Sequence, residues 1–192
     1  MYPKQFDDLI AAFSTLPSIG TKSAERIAFA MMDWDQEKID SFISAFEGLK
    51  KLKRCEICHN ISDSKICSIC SDENRDRSTI CVVQTPKDIY SIEAMEEYDG
   101  LYHVLDGTIN IQKGILPESL NIESLEKRIT PEINEVILAL DPTIDGELTA
   151  KYITGLLDKK VNITQLASGI PVGSRLDYAD QRTLSKAFKG RK

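Results

Sequence analysis

Residues 55–70 read CEICHNISDSKICSIC, and no other stretch limits the fold of this chain so strongly. Cys55 and Cys58 form one CxxC pair, and Cys67 and Cys70 form a second after eight intervening residues. In a CxxC knuckle the backbone amides face the sulfurs, and two knuckles close a tetrahedron of thiolates that leaves no position for water or substrate. Residues 55–77 are polar, with too few apolar side chains to fold by burial alone. The pattern therefore predicts a structural zinc, whose binding energy becomes folding energy. His59 follows Cys58 directly and reads as a bystander. The fifth cysteine, Cys81, sits between Ile80 and Val82 and reads as a core side chain.

The compartment expected from the sequence supports metal over disulfides. The start, MYPKQFDDLI, has no basic-then-apolar signal pattern, and no apolar run approaches the roughly 18 residues of a membrane span. A cytoplasmic setting is expected, where paired cysteines bind metal rather than each other. With 42% hydrophobic and 28% charged residues, the chain has the composition of a folded soluble protein. Its net charge of −6 excludes a uniformly basic nucleic-acid-binding surface, so any such contact must be local.

Hydrophobic periodicity divides the chain. Phe6, Leu9, Ile10 and Phe13 recur at helical spacing over 4–15, residues 23–32 repeat the pattern, and 35–52 place Ile39, Phe42, Ile43, Phe46 and Leu49 on one face expected to point inward. From Thr79 the texture changes to TICVVQ, YHVLDG, EVILALD and NITQLA as strands. DIYSIEAMEEY, SLNIESLEKRI and ELTAKYITGLLDK read as helices between them. Alternating strands and helices predict a mostly parallel sheet covered on both faces. A last helix is expected to begin near Asp177 or Asp180. The expected organisation is α/β multidomain: a helical domain over 1–53, a zinc finger over 54–78, a sheet domain over 79–172 and a C-terminal segment over 173–192.

Two further motifs carry chemistry. In LPSIGTKSAERIAF, residues 16–29, a tight Gly-containing turn leads into a helix whose first turn holds Lys22 and Ser23. Unpaired N–H groups at such a helix start favour a phosphate. Lys22 supplies a point charge there, and Arg26 lies one turn along on the same face. In VILALDPTIDGELTA, residues 136–150, an apolar strand ends in Asp141 and a helix begins with Asp145 and Glu147. With Glu93, these carboxylates are expected to form an acidic patch near the carboxyl ends of the strands, where open α/β sheets place their ligands.

The order of LPSIGTKSAERIAF, the paired knuckles, RDRSTICVVQTPKDIYSIE, YDGLYHVLDGTIN, DPTIDGELTAKYI and ASGIPVGSRLDYADQRTL closely resembles the RecR family of bacterial recombination mediators over essentially the whole chain. The resemblance implies a helix-hairpin-helix domain, a four-cysteine zinc finger with ligands Cys55, Cys58, Cys67 and Cys70, a Toprim domain and a C-terminal segment. It also implies DNA contact through Lys22 and Arg26, and a ring-forming homo-oligomer, a tetramer in the family, able to encircle DNA. The partners it implies are RecO, and RecF where present, in loading a recombinase at gaps. Ser18 departs from the family by standing where a glycine is usual. Catalytic Toprim domains hold magnesium with a Glu after the first strand and an Asp-x-Asp after a later one. Here those positions are Gln84 and Asp141-Pro142-Thr143, so no enzyme is expected. Glu93, Asp141 and Glu147 are instead expected to bind a basic partner such as RecO. The alternative is a magnesium-dependent nuclease or primase-like enzyme using Asp141, Asp145 and Glu147.

Overall fold

The apolar stripe of residues 6–13 and the small residues Ala24 and Ala28 explain the first pairing of the chain. In the computed structural model, which describes residues 2–191, helices α1 (Lys4–Ser14) and α2 (Thr21–Met32) pack through Ile10, Ala24 and Ala28. Both alanines are completely buried, which lets the two backbones approach closely. Phe6, Leu9, Phe13 and Ile19 border this contact. Helix α3 (Gln36–Leu49) follows, its start capped by the Asp35 carboxylate accepting from the Lys38 N–H at 2.9 Å. The inward face expected of α3 is not observed: Phe42, Ile43, Phe46 and Leu49 are exposed, and Ile39 alone of the five is half-buried. Periodicity marks an apolar face without saying what covers it, and here α1 and α2 already bury their facing stripes against each other.

The chain divides into two compact units between Leu52 and Lys53. The second opens with strands β1 (Lys53–Arg54) and β2 (Ile61–Ser62), an antiparallel pair around the first knuckle. The one-turn helix α4 (Ser68–Ser71) holds the second knuckle. Four parallel strands then form the sheet: β3 (Asp76–Val83), β4 (Gly100–Val104), β5 (Glu135–Ala139) and β6 (Asn162–Gln165), in the order β4-β3-β5-β6. Strands buried on both sides read as continuous apolar runs, as ICVV in β3 does. Helix α5 (Pro86–Glu93) covers one face, where Cys81, Val83, Ile89, Tyr102 and Val104 meet. Helices α6 (Ile122–Arg128) and α7 (Ile144–Leu157) cover the other, over Ile80, Val82, Val136 and Leu138, through Leu125, Ile153 and Leu157.

Local signals set the helix ends. Thr85 and Asp88 form a reciprocal capping box at α5, with the Thr85 N–H donating to the Asp88 carboxylate at 2.7 Å. This helix ends at Glu93 rather than near Tyr98, as Glu96 turns into the left-handed region at φ 56°. The last helix, α8 (Gln181–Lys189), starts after Asp180, whose carboxylate accepts from the Arg182 and Thr183 N–H groups. Among the described residues no helix is long and apolar enough to cross a membrane.

A zinc centre and two candidate binding faces

The two knuckles converge. The sulfurs of Cys55, Cys58, Cys67 and Cys70 lie within 4.8 Å of one another, and all four residues are buried. Cys58 and Cys67 place their sulfurs 3.5 Å apart, near the roughly 3.8 Å edge of a tetrahedron with metal–sulfur bonds of about 2.3 Å. The Cys67 N–H donates to the Cys55 sulfur at 3.3 Å, the amide-to-sulfur contact expected of a knuckle. His59 makes the first turn possible at φ 62°, while its N–H donates to the Cys55 carbonyl at 3.0 Å. The His59 ring turns away to Ser124, with Nε2 2.8 Å from the hydroxyl, so it serves the backbone and the sheet rather than the metal. The hydrogen bond to Cys67, with burial behind it, pushes the Cys58 thiol up. A thiol set this dry and crowded ionises together only around a cation, and four sulfurs with no open position fit structural zinc. Cys81 stands apart in β3, buried in the sheet core.

At the helical hairpin, Ser18 takes φ 65° and Gly20 caps α2 with extended backbone and no side-chain bond to the helix. The N–H groups of Ser23 and Ala24 both donate to the Gly20 carbonyl at 3.0 Å. Among the described residues, those of Thr21 and Lys22 have no backbone acceptor. Lys22 and Arg26 are exposed, and neither has an ion-pair partner among the described residues. The arrangement is chemically suited to an anion such as phosphate.

The carboxylates behave differently. Val83 of β3 is the register partner of Ala139 of β5, so Gln84 and Leu140 occupy the next positions and Asp141 follows. Gln84 offers no charge there, and the Thr143 hydroxyl is committed to capping α7, accepting from the Gly146 N–H at 3.1 Å. Asp145 accepts from the Asn110 amide at 2.6 Å. Glu147 is held by Arg182 at 2.9 Å and by Lys186, both on α8, and the Lys186 contact keeps its carboxyl below the usual range. Asp141 is exposed and, among the described residues, has no side-chain partner. The open cleft of about 690 Å³ at this end mixes Asp141 and Glu147 with Lys151, Lys186 and Lys189.

Glu93 does not join them. It closes α5 beside Arg75, whose Nη1 donates to Glu93 at 2.9 Å and to the carbonyl of Gly100, the first residue of β4, at 3.1 Å. The Tyr102 hydroxyl donates to Glu93 at 2.6 Å. The Arg75 hydrogen bonds hold its carboxyl below the ordinary value. Glu93 therefore belongs to the amino end of the strands, opposite Asp141, and the single acidic patch expected from the sequence is corrected to two separate places. A helix that starts after one strand's carboxyl end carries its last turn back to the amino end, which the sequence reading overlooked. Arg75, Arg182 and Lys186, which neutralise these acids, carried no sequence signal beyond charge.

This geometry defines a class: a zinc-finger protein built on a four-stranded parallel α/β sheet, with Gln84 and Asp141 beyond the carboxyl ends of two neighbouring strands, preceded by a helical hairpin unit. Family comparisons match the RecR helix-hairpin-helix over residues 6–48, the RecR four-cysteine zinc finger domain over 52–72, a Toprim domain over 78–167 and the RecR C-terminal region over 169–192. The chain is 49% identical over 194 aligned residues to the Recombination protein RecR of Bifidobacterium longum subsp. infantis, covering 100% of this chain and 97% of that one. The same-named protein of Bifidobacterium longum strain DJO10A is 48% identical over the same coverage. The chain belongs to the RecR family of recombination proteins.

Proposed function

We propose that this protein is a recombinational-repair mediator that holds DNA without cleaving it. The carrying observation is the start of α2, where, among the described residues, the Thr21 and Lys22 N–H groups have no backbone acceptor and the exposed Lys22 and Arg26 have no ion-pair partner. Contacts of this kind grip phosphates and carry no sequence preference. The family membership supports extending the reading to a ring oligomer that encircles DNA and acts in the cytoplasm with RecO, and with RecF where present, to load the recombinase at gaps.

The Toprim sheet serves in this reading as a docking scaffold rather than an active centre. Gln84 replaces one metal-holding carboxylate, and the Asp145 and Glu147 side chains are already engaged by Asn110, Arg182 and Lys186. A basic partner such as RecO would meet Asp141 first, gain Glu147 by competing with α8, and meet Glu93 only on the separate face beside Arg75. The test is fluorescence anisotropy with duplexes of unrelated sequence across a salt series. Replacing Lys22 and Arg26 together with Ala should weaken all duplexes about equally and flatten the salt slope by roughly two phosphate contacts. Unchanged affinity and slope would remove the hairpin from the DNA site.

A further inference from the structure

Arg128 closes α6 and turns its guanidinium back toward strand β4. Its Nη1 donates to the Tyr102 carbonyl at 2.6 Å and contacts His103 Nδ1 at 3.0 Å. His103 is fully buried, and its Nε2 lies 2.7 Å from the Asn121 carbonyl. A carbonyl only accepts, so the imidazole proton sits on Nε2 and Nδ1 accepts from the arginine. The guanidinium thus meets a neutral ring and a carbonyl. Among the described residues it has no carboxylate partner. Arg128 is half-buried, and a cation partly withdrawn from water costs free energy unless an anion answers it.

A source of negative charge beside this strand is the zinc finger. Val104, next along β4 from His103, donates its N–H to the Cys58 carbonyl at 2.8 Å. The His59 ring stands edge-on to His103 at 5.3 Å, so the knuckle and the guanidinium meet the same short stretch of strand. Four thiolates around one Zn²⁺ leave two net negative charges, and Cys55 and Cys58 are completely buried, so water screens that charge poorly. Burial draws the Arg128 pKa down, and all four cysteines act in the opposite direction to keep it charged.

We propose that Arg128 balances the negative charge of the zinc–thiolate cluster from helix α6, acting as a positioning residue that ties the metal site to the sheet. Groups outside the ligand set tune metal affinity through the charge and hydrogen bonds they offer the ligands. Arg77 provides the control: its Nη2 donates to the Cys70 carbonyl at 3.2 Å, but the residue is exposed and its charge is screened by solvent.

The experiment measures zinc affinity of the full chain by competition with a chromogenic chelator, alongside the thiolate-to-metal absorption of the cobalt-loaded protein. Arg128→Gln and Arg128→Met should each weaken zinc binding by about 10–100-fold and shift the cobalt bands. Arg128→Lys, which keeps the charge, should restore both, and Arg77→Gln should resemble the unaltered protein. Undiminished affinity in Arg128→Gln would overturn the proposal. So would an Arg128→Lys variant as impaired as Arg128→Gln, or a loss of fold in Arg128→Gln that saturating zinc does not repair, since each makes the role one of shape rather than charge.

Discussion

Cys67 and Cys81 carry the same thiol into unlike surroundings. Cys67 shares its place with three other sulfurs, whereas Cys81 lies in β3 among apolar side chains, where burial pushes its thiol up to about 12. Cys67→Ser should lower zinc content and thermal stability together, read by metal analysis and calorimetry. Cys81→Ser should keep its zinc and cost about 1–3 kcal/mol for a hydroxyl placed in an apolar site. Retained zinc and an unchanged Tm in Cys67→Ser would contradict the structural role of the metal. The raised Cys81 thiol also fixes a sign: the unfolded chain releases this proton near the ordinary value of 9.0 while the folded chain keeps it, so stability falls as pH rises above that value. His103 works at the other end. Burial lowers it to about 3 against an ordinary 6.5, so the unfolded chain binds the proton first and the folded state loses stability as pH drops below 6.5. His103→Phe should flatten part of the fall in the urea midpoint between pH 7 and pH 5, and an unaltered slope would show that another group sets it.

Elements show where sequence reading succeeds and where it stops. The α1 and α2 stripes, the alternating strands and the Asp180 start of α8 were legible, since each rests on periodicity or a capping residue close in sequence. The exposed face of α3, the early end of α5 and the pairing of Glu147 with α8 were not, because each depends on what a distant segment covers or on a single left-handed residue. Two backbone positions give tests. A Cβ on Gly146 would lie 2.0 Å from the Asp141 carbonyl oxygen, so Gly146→Ala should cost about 1–3 kcal/mol by urea unfolding and disturb the β5–α7 turn. Asp141→Asn, a change on an exposed side chain, should leave stability unchanged. At the hairpin, Ser18 sits at φ 65°, a region that favours glycine, and Ser18→Gly should stabilise the first unit by up to about 1 kcal/mol. A loss of stability there would mean the serine side chain contributes more than the strain costs.

At the scale of the molecule, the zinc ligands and the order of domains were readable because ligand spacing and motif order are local properties of the chain. The division of the acids between two ends of the sheet was not, as it follows from the parallel topology that carries α5 back to the strand starts. The same topology separates the tests of partner binding. Charge reversal at Asp141 should slow association with a basic partner, most visibly at low salt, whereas reversal at Glu147 also breaks its pairs with Arg182 and Lys186 and so releases α8. A mediator of the kind proposed holds DNA and leaves its covalent structure intact. The most direct measurement is the length of a labelled gapped duplex recovered from the complex after incubation with magnesium or manganese. Full-length strands are expected, from the unaltered protein and from Asp141→Asn alike. Shortened strands that become full-length again in Asp141→Asn would contradict that expectation and make the end of β5 an active centre.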